Sequence, residues 1–164
     1  MIPAVPRKFQ FFPFLISLII TLAIGFMASL FTRPEIAGWY STLKKPSFNP
    51  PPWLFAPVWT ALYIMMATAA HLVWKHRSRK PVYIIARNIY FTQLALNFSW
   101  SIVFFGLHQV PGALIVIILL WLSIILNINW FYKFSKAAGR LLWPYLLWVS
   151  FAAVLNAAIY LLNK

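Results

Sequence analysis

Five apolar runs, each about twenty residues long and parted by short clusters of Lys and Arg, decide what this chain can fold into. They cover approximately residues 11–31, 53–74, 89–110, 111–132 and 141–162. A hydrocarbon core roughly 30 Å thick takes about 20 apolar residues per helix. The runs are continuous, not alternating, and a segment in lipid must satisfy its own backbone hydrogen bonds. Helices are therefore predicted over a barrel. The first run is too long for a signal peptide, and Thr32-Arg33-Pro34 after it lacks a small-x-small cleavage pattern. Little chain is left over. The expected fold is all-α and integral to a membrane: a single domain over residues 1–164, a bundle of five transmembrane helices with short loops and one longer loop after the first run.

The ions are distributed to match. Fourteen Lys and Arg stand against one carboxylate, Glu35, for a net charge of +13. Such a charge can signal nucleic acid, but no soluble domain exists here to present a basic groove, so no nucleic-acid partner is expected. Cations beside apolar runs set topology and meet anionic headgroups instead. Arg7, Lys8, Lys75, Arg77, Arg79, Lys80, Arg87, Lys133, Lys136 and Arg140 fall on one side of the membrane. Arg33, Lys44, Lys45 and Lys164 fall on the other. In an inner membrane, ten against four predicts a cytoplasmic N-terminus and an outward-facing first loop.

Residue types also exclude chemistry. Without Asp or Cys there is no Ser/His/Asp triad, thiol nucleophile, disulfide or thiolate metal site. A lone Glu cannot do paired-carboxylate acid–base work, and no run carries a central acid to couple ion movement. No metal and no cofactor are expected. His71 and His108 are haem ligands only in principle; near the ends of their runs, both read more simply as interfacial side chains.

What remains is aromatic and amide surface. In the third run Gln93, Asn97, Trp100, Ser101 and Phe104 share one helical face. In the fifth, Trp148, Ala152 and Asn156 do so, with Leu155 adjacent. In the second, Trp59 and Tyr63 do so, with Phe55 one turn earlier. Amides in lipid need partners, so Gln93, Asn97 and Asn156 should face the bundle interior. Two readings stand open: these amides bridge helices, or they anchor a ligand in a pocket with aromatic walls. Trp53, Trp74, Trp130 and Trp143 lie near run ends, where aromatic belts form. Trp59, Trp100, Trp121 and Trp148 lie deeper and are the pocket candidates. Ser17, Thr21, Gly25 and Ser29 form a small-residue stripe for close helix packing, within one protomer or between two. Residues 32–52 hold Trp39, Tyr40, Leu43, Phe48 and the stiff run Pro50-Pro51-Pro52. That loop is either a lid on the bundle or a float on the membrane interface. Leu155, Tyr160 and Lys164 fit a proposed sterol pattern, a motif that chance often produces at helix ends.

Taken together, Trp39-Tyr40-x-x-Leu43-x-Lys45-Pro46, Pro51-Pro52-Trp53, Pro57-Val58-Trp59-Thr60, Gln93-Leu94-x-Leu96-Asn97-x-x-Trp100-Ser101, Pro144-Tyr145-x-x-Trp148 and Phe151-Ala152-x-x-Leu155-Asn156 resemble the TspO/MBR family. These are the tryptophan-rich sensory proteins related to the mitochondrial translocator protein. The resemblance runs from about Trp39 to the C-terminus; the first run matches in character only. It implies a five-helix bundle, often a homodimer, with a pocket closed by the first loop. The implied ligands are porphyrins such as protoporphyrin IX, sterols, and synthetic isoquinoline carboxamides and benzodiazepines. The implied ligand-binding residues are Tyr40, Trp59, Tyr63, Asn97, Trp100, Trp148, Ala152 and Leu155. In some bacterial members the Trp pair matching Trp59 and Trp148 is linked to light-dependent porphyrin breakdown, which makes these two the catalytic candidates. Ala157 and Tyr160 depart from the animal sterol pattern.

The physics suits a porphyrin. A flat apolar macrocycle stacks on indole and phenol rings. Its propionates would seek Arg33, Lys44 and Lys45, or the cations of the other side. Without strong axial ligands, the free base is favoured over haem. Three functions therefore compete: a tetrapyrrole-binding membrane receptor or translocator, a photo-oxidative porphyrin-degrading enzyme, and a structural subunit whose small-residue stripe docks a partner.

Overall fold

The computed structural model describes residues 9–164; Arg7 and Lys8, two of the topology-setting cations, lie outside them. The described residues are mostly helical, with no strand among them, and five spans are long and apolar enough to cross a membrane. The protein is an integral membrane protein. The first span is α1 (Phe11–Ala37), followed by a single turn, α2 (Trp39–Thr42). A 3-10 turn at Pro52–Leu54 leads into α3 (Phe55–Trp74). Next, α4 (Pro81–Ser101) continues as a π-helical turn over Ile102–Gly106. The chain returns through α5 (Val110–Tyr132), a short α6 (Lys136–Leu141) and α7 (Trp143–Leu162).

Three boundaries differ from those expected of the apolar runs. Helix α1 passes residue 31 and ends only at Gly38, whose N–H reaches the Pro34 carbonyl at 3.3 Å. Pro34 has no N–H to give the Leu30 carbonyl, so the helix loses one bond a turn before it ends. Helix α4 starts eight residues before position 89, at a proline in its first turn, a position where the missing N–H costs nothing. Polar Arg87 and Asn88 interrupt the apolar pattern there without interrupting the helix. The fifth span begins at Lys136, where the Ser135 side chain accepts a bond from the Ala138 N–H.

Helix packing closes a five-membered ring. Helix α1 lies against α3 and α4, α4 against α5, α5 against α6 and α7, and α3 against α6. The short link between α4 and α5 makes these two antiparallel neighbours, with His108 in the turn at φ 55°. The small-residue stripe of α1 is spent inside the protomer. Ser17 donates to the Ala67 carbonyl at 3.0 Å, and Thr21 Oγ1 shares a 2.7 Å bond with Tyr90 Oη. Gly25 leaves room for the Tyr63 ring, into which a Cβ would project. That corrects the docking role considered for Gly25. The rest of α1 turns Phe12, Ile19, Phe26 and Leu30 outward.

Candidate functional site

A cavity of about 590 Å3 opens among α1, α3, α4 and α7 beneath α2. Tyr40, Trp59, Tyr63, Asn97, Trp100, Trp148, Ala152 and Leu155 all line it. Local helix geometry brings them together. On α3, Phe55, Trp59 and Tyr63 are spaced four apart and share a face. Trp59 stacks on Tyr63 at 5.5 Å between centroids, and Trp148 meets Phe55 edge-on at 6.1 Å.

Two of the three amides serve both readings offered for them. Tyr63 Oη donates to Asn97 Oδ1 at 2.6 Å, and Asn97 Nδ2 donates to Tyr145 Oη at 3.2 Å. Asn156 accepts from the Trp100 indole at 3.2 Å and donates to the Val110 carbonyl at 3.1 Å. Both amides thus tie three helices together while lining the cavity. Gln93 is buried but lies away from it, its amide 3.9 Å from Met66 Sδ. Replacing Asn97 with Leu strands two phenols in apolar surroundings. Interhelical bonds in lipid average about 0.6 kcal/mol, so the loss should be about 1–2 kcal/mol, read as a lower melting temperature in detergent.

Sequence reasoning missed Ile36 and Phe105 in the wall, and named Arg33 for its charge and Phe104 for its helical face alone. Ile36 and Arg33 reach the cavity because α1 runs past residue 31. Phe104 and Phe105 both line it because the π-helical turn turns consecutive side chains through a smaller angle than an α-helix does. Their rings meet edge-on at 4.8 Å. The Phe104-Phe105-Gly106 run carried no signal for that turn. Trp121 is the opposite case. It is deep, as expected, yet its indole donates to Ser150 Oγ at 2.8 Å and fastens α5 to α7 outside the cavity. Depth gives an indole a need for a partner, not a direction. His71 sits near the end of α3 as expected, but its ring is packed under Phe14 and Trp74 and only 2% exposed.

The loop after α1 lies over the cavity. Tyr40 is buried against Phe104 and Phe105 and donates to Asn49 Oδ1 at 2.7 Å. Burial pushes its phenol up to about 12. Trp39 stacks on His108 at 4.3 Å, and His108 Nε2 pairs with Glu35 at 3.0 Å. Lys44 is held by its backbone: its N–H and C=O each bond Asn163 at 2.9 Å. Lys45 folds onto the carbonyls of Ser41 and Leu43. Of the three cations expected near ligand anions, Arg33 alone lines the cavity. The sterol pattern does not gather on one surface. Leu155 faces the cavity, whereas Tyr160, about 140° further round the helix, is exposed.

Comparison with known proteins agrees with this architecture. The model of the TspO/MBR family matches residues 17–162. The chain is 46% identical over 147 residues to the Tryptophan-rich protein TspO of Archaeoglobus fulgidus, covering 90% of this chain and 94% of that one. It is 38% identical over 138 residues to the Translocator protein of Homo sapiens, covering 82% and 80%. It is 38% identical over 125 residues to the Tryptophan-rich sensory protein of Cereibacter sphaeroides, covering 76% and 77%. The aromatic cavity, the five spans and these matches lead to one conclusion: the chain belongs to the TspO/MBR family.

Proposed function

We propose that this protein is a membrane receptor or translocator for tetrapyrroles of the protoporphyrin IX kind and similar flat hydrophobic ligands, acting in tetrapyrrole regulation or stress sensing. The observation that carries the reading is the cavity itself: about 590 Å3, walled by Trp59, Tyr63, Trp100 and Trp148, with no carboxylate in its lining and Arg33 among its residues. Rings supply stacking surface, and the missing carboxylate spares the propionates repulsion. Among the described residues, neither the Trp59 nor the Trp148 indole N–H meets a protein acceptor, so both donors are open to a ligand.

Titrating purified protein with protoporphyrin IX should quench Trp fluorescence saturably. Arg33→Gln should weaken protoporphyrin IX by about tenfold, the worth of one charge-assisted bond, and leave its dimethyl ester unchanged. Quenching that rises linearly without saturation would remove the reading. The same reading takes Lys/Arg bias as setting the N-terminus cytoplasmic and the lid outward. It also takes the protein as a homodimer, which mass measurement in detergent tests.

A second reading is enzymatic, and the shared cavity of Trp59 and Trp148 favours it. Bound porphyrin would be degraded with light and dioxygen as oxidant, the two indoles serving as redox partners. Absorbance loss no faster than for free porphyrin in detergent would end it.

A further inference from the structure

A second groove of about 390 Å3 lies between α1, the end of α3 and the start of α4, and shares no residue with the lidded cavity. Its floor is Thr21, Tyr90 and Phe131, all buried, and the two hydroxyls satisfy each other. Its rim is Ile16, Ile20 and Phe91, all exposed. Along α1 it extends from Pro13 to Thr21, a rise of about 12 Å, which fits within one leaflet.

The mouth is cationic. Arg87 lines the groove and is exposed, six residues after the first residue of α4. Among the described residues its guanidinium hydrogen-bonds only the Asn88 side-chain carbonyl, at 3.3 and 3.1 Å. The sole side-chain carboxylate of the chain, Glu35, pairs with His108 at the opposite end of the bundle. An arginine inside a membrane helix is costly unless an anion or the headgroup layer receives it. Helical side chains lean toward the N-terminus, which directs Arg87 toward the end where α4 begins. A second guanidinium, Arg77, lies 3.8 Å from the ring of Trp74, another groove residue. Both arginines are near enough to act electrostatically on Tyr83 in the same wall.

We propose that this groove binds one anionic phospholipid, with Arg87 and Arg77 holding its phosphate and Ile16, Ile20 and Phe91 receiving an acyl chain. The protein lacks the acid that would neutralise these cations, and the lipid supplies it. The site is independent of the porphyrin reading.

Native mass spectrometry of protein released from mixed phosphatidylglycerol and phosphatidylcholine micelles tests this. One phosphatidylglycerol per protomer should survive. Arg87→Gln and Arg77→Gln should each lower its retention about fivefold, the effect of one cation at an anionic lipid surface. Ile20→Trp, which fills the groove without changing charge, should abolish it, while Lys136→Gln, an exposed cation elsewhere, should leave it intact. Equal retention of both lipids, or a Lys136→Gln effect matching that of Arg87→Gln, would overturn the proposal. So would an Ile20→Trp variant that keeps its lipid but changes the dimer fraction, since a second copy would then be the occupant. Melting temperature in detergent checks that each variant is folded; if Ile20→Trp is not, the arginine pair decides.

Discussion

Gly25→Leu will lower the stability of the protein by about 3 kcal/mol, at the upper end of what overpacking a well-filled interior costs. Gly25 stands where α1 crosses α3, and a Cβ built there runs into the Tyr63 ring. Tyr63 cannot swing away cheaply, because its hydroxyl is bound to Asn97 and its ring stacks on Trp59. The strain therefore passes to the α1–α3 contact, and a series of Ala, Val and Leu at position 25 should fall in order. Thermal unfolding in detergent reads the effect. A Leu variant that melts like wild type but no longer dimerises would return the stripe to the partner-docking role that its packing denies it.

Trp148→Ala and Trp59→Ala will each weaken protoporphyrin IX by about thirtyfold, or roughly 2 kcal/mol. That is the area term of a truncated aromatic plus a modest stacking term. The two indoles line the same cavity, so the double variant should lose more than either single one without being strictly additive. Other Trp residues remain as fluorescence reporters, since the chain has nine. Trp121→Ala is the matched control: the same residue type, equally deep in the sequence, but bonded to Ser150 and outside the cavity. Its affinity should not change. Undiminished binding in both cavity variants would move the site elsewhere.

The site was legible to different depths. Spacings of three and four residues placed Trp59 with Tyr63, Asn97 with Trp100, and Trp148 with Ala152, because those faces follow from helical geometry alone. Whether Asn97 bridged helices or lined a pocket was not a property of any one helix. It does both, because Tyr63 and Tyr145 reach it from two others. Trp121 and Trp100 looked alike in sequence, yet they meet acceptors on different faces of α7: Ser150 for one and Asn156 for the other.

The amino-acid sequence by itself determined five membrane helices, their antiparallel order and the lack of acid chemistry, since hydrocarbon thickness and composition leave no other choice. Only the tertiary structure decided that the proline-rich loop lies over the cavity, that Arg33 and not Lys44 or Lys45 joins its wall, and that Gly25 serves α3 rather than a partner. Each of those outcomes depends on contacts between segments far apart in the chain. Local periodicity says which face of a helix is polar or aromatic, and packing alone says what that face meets.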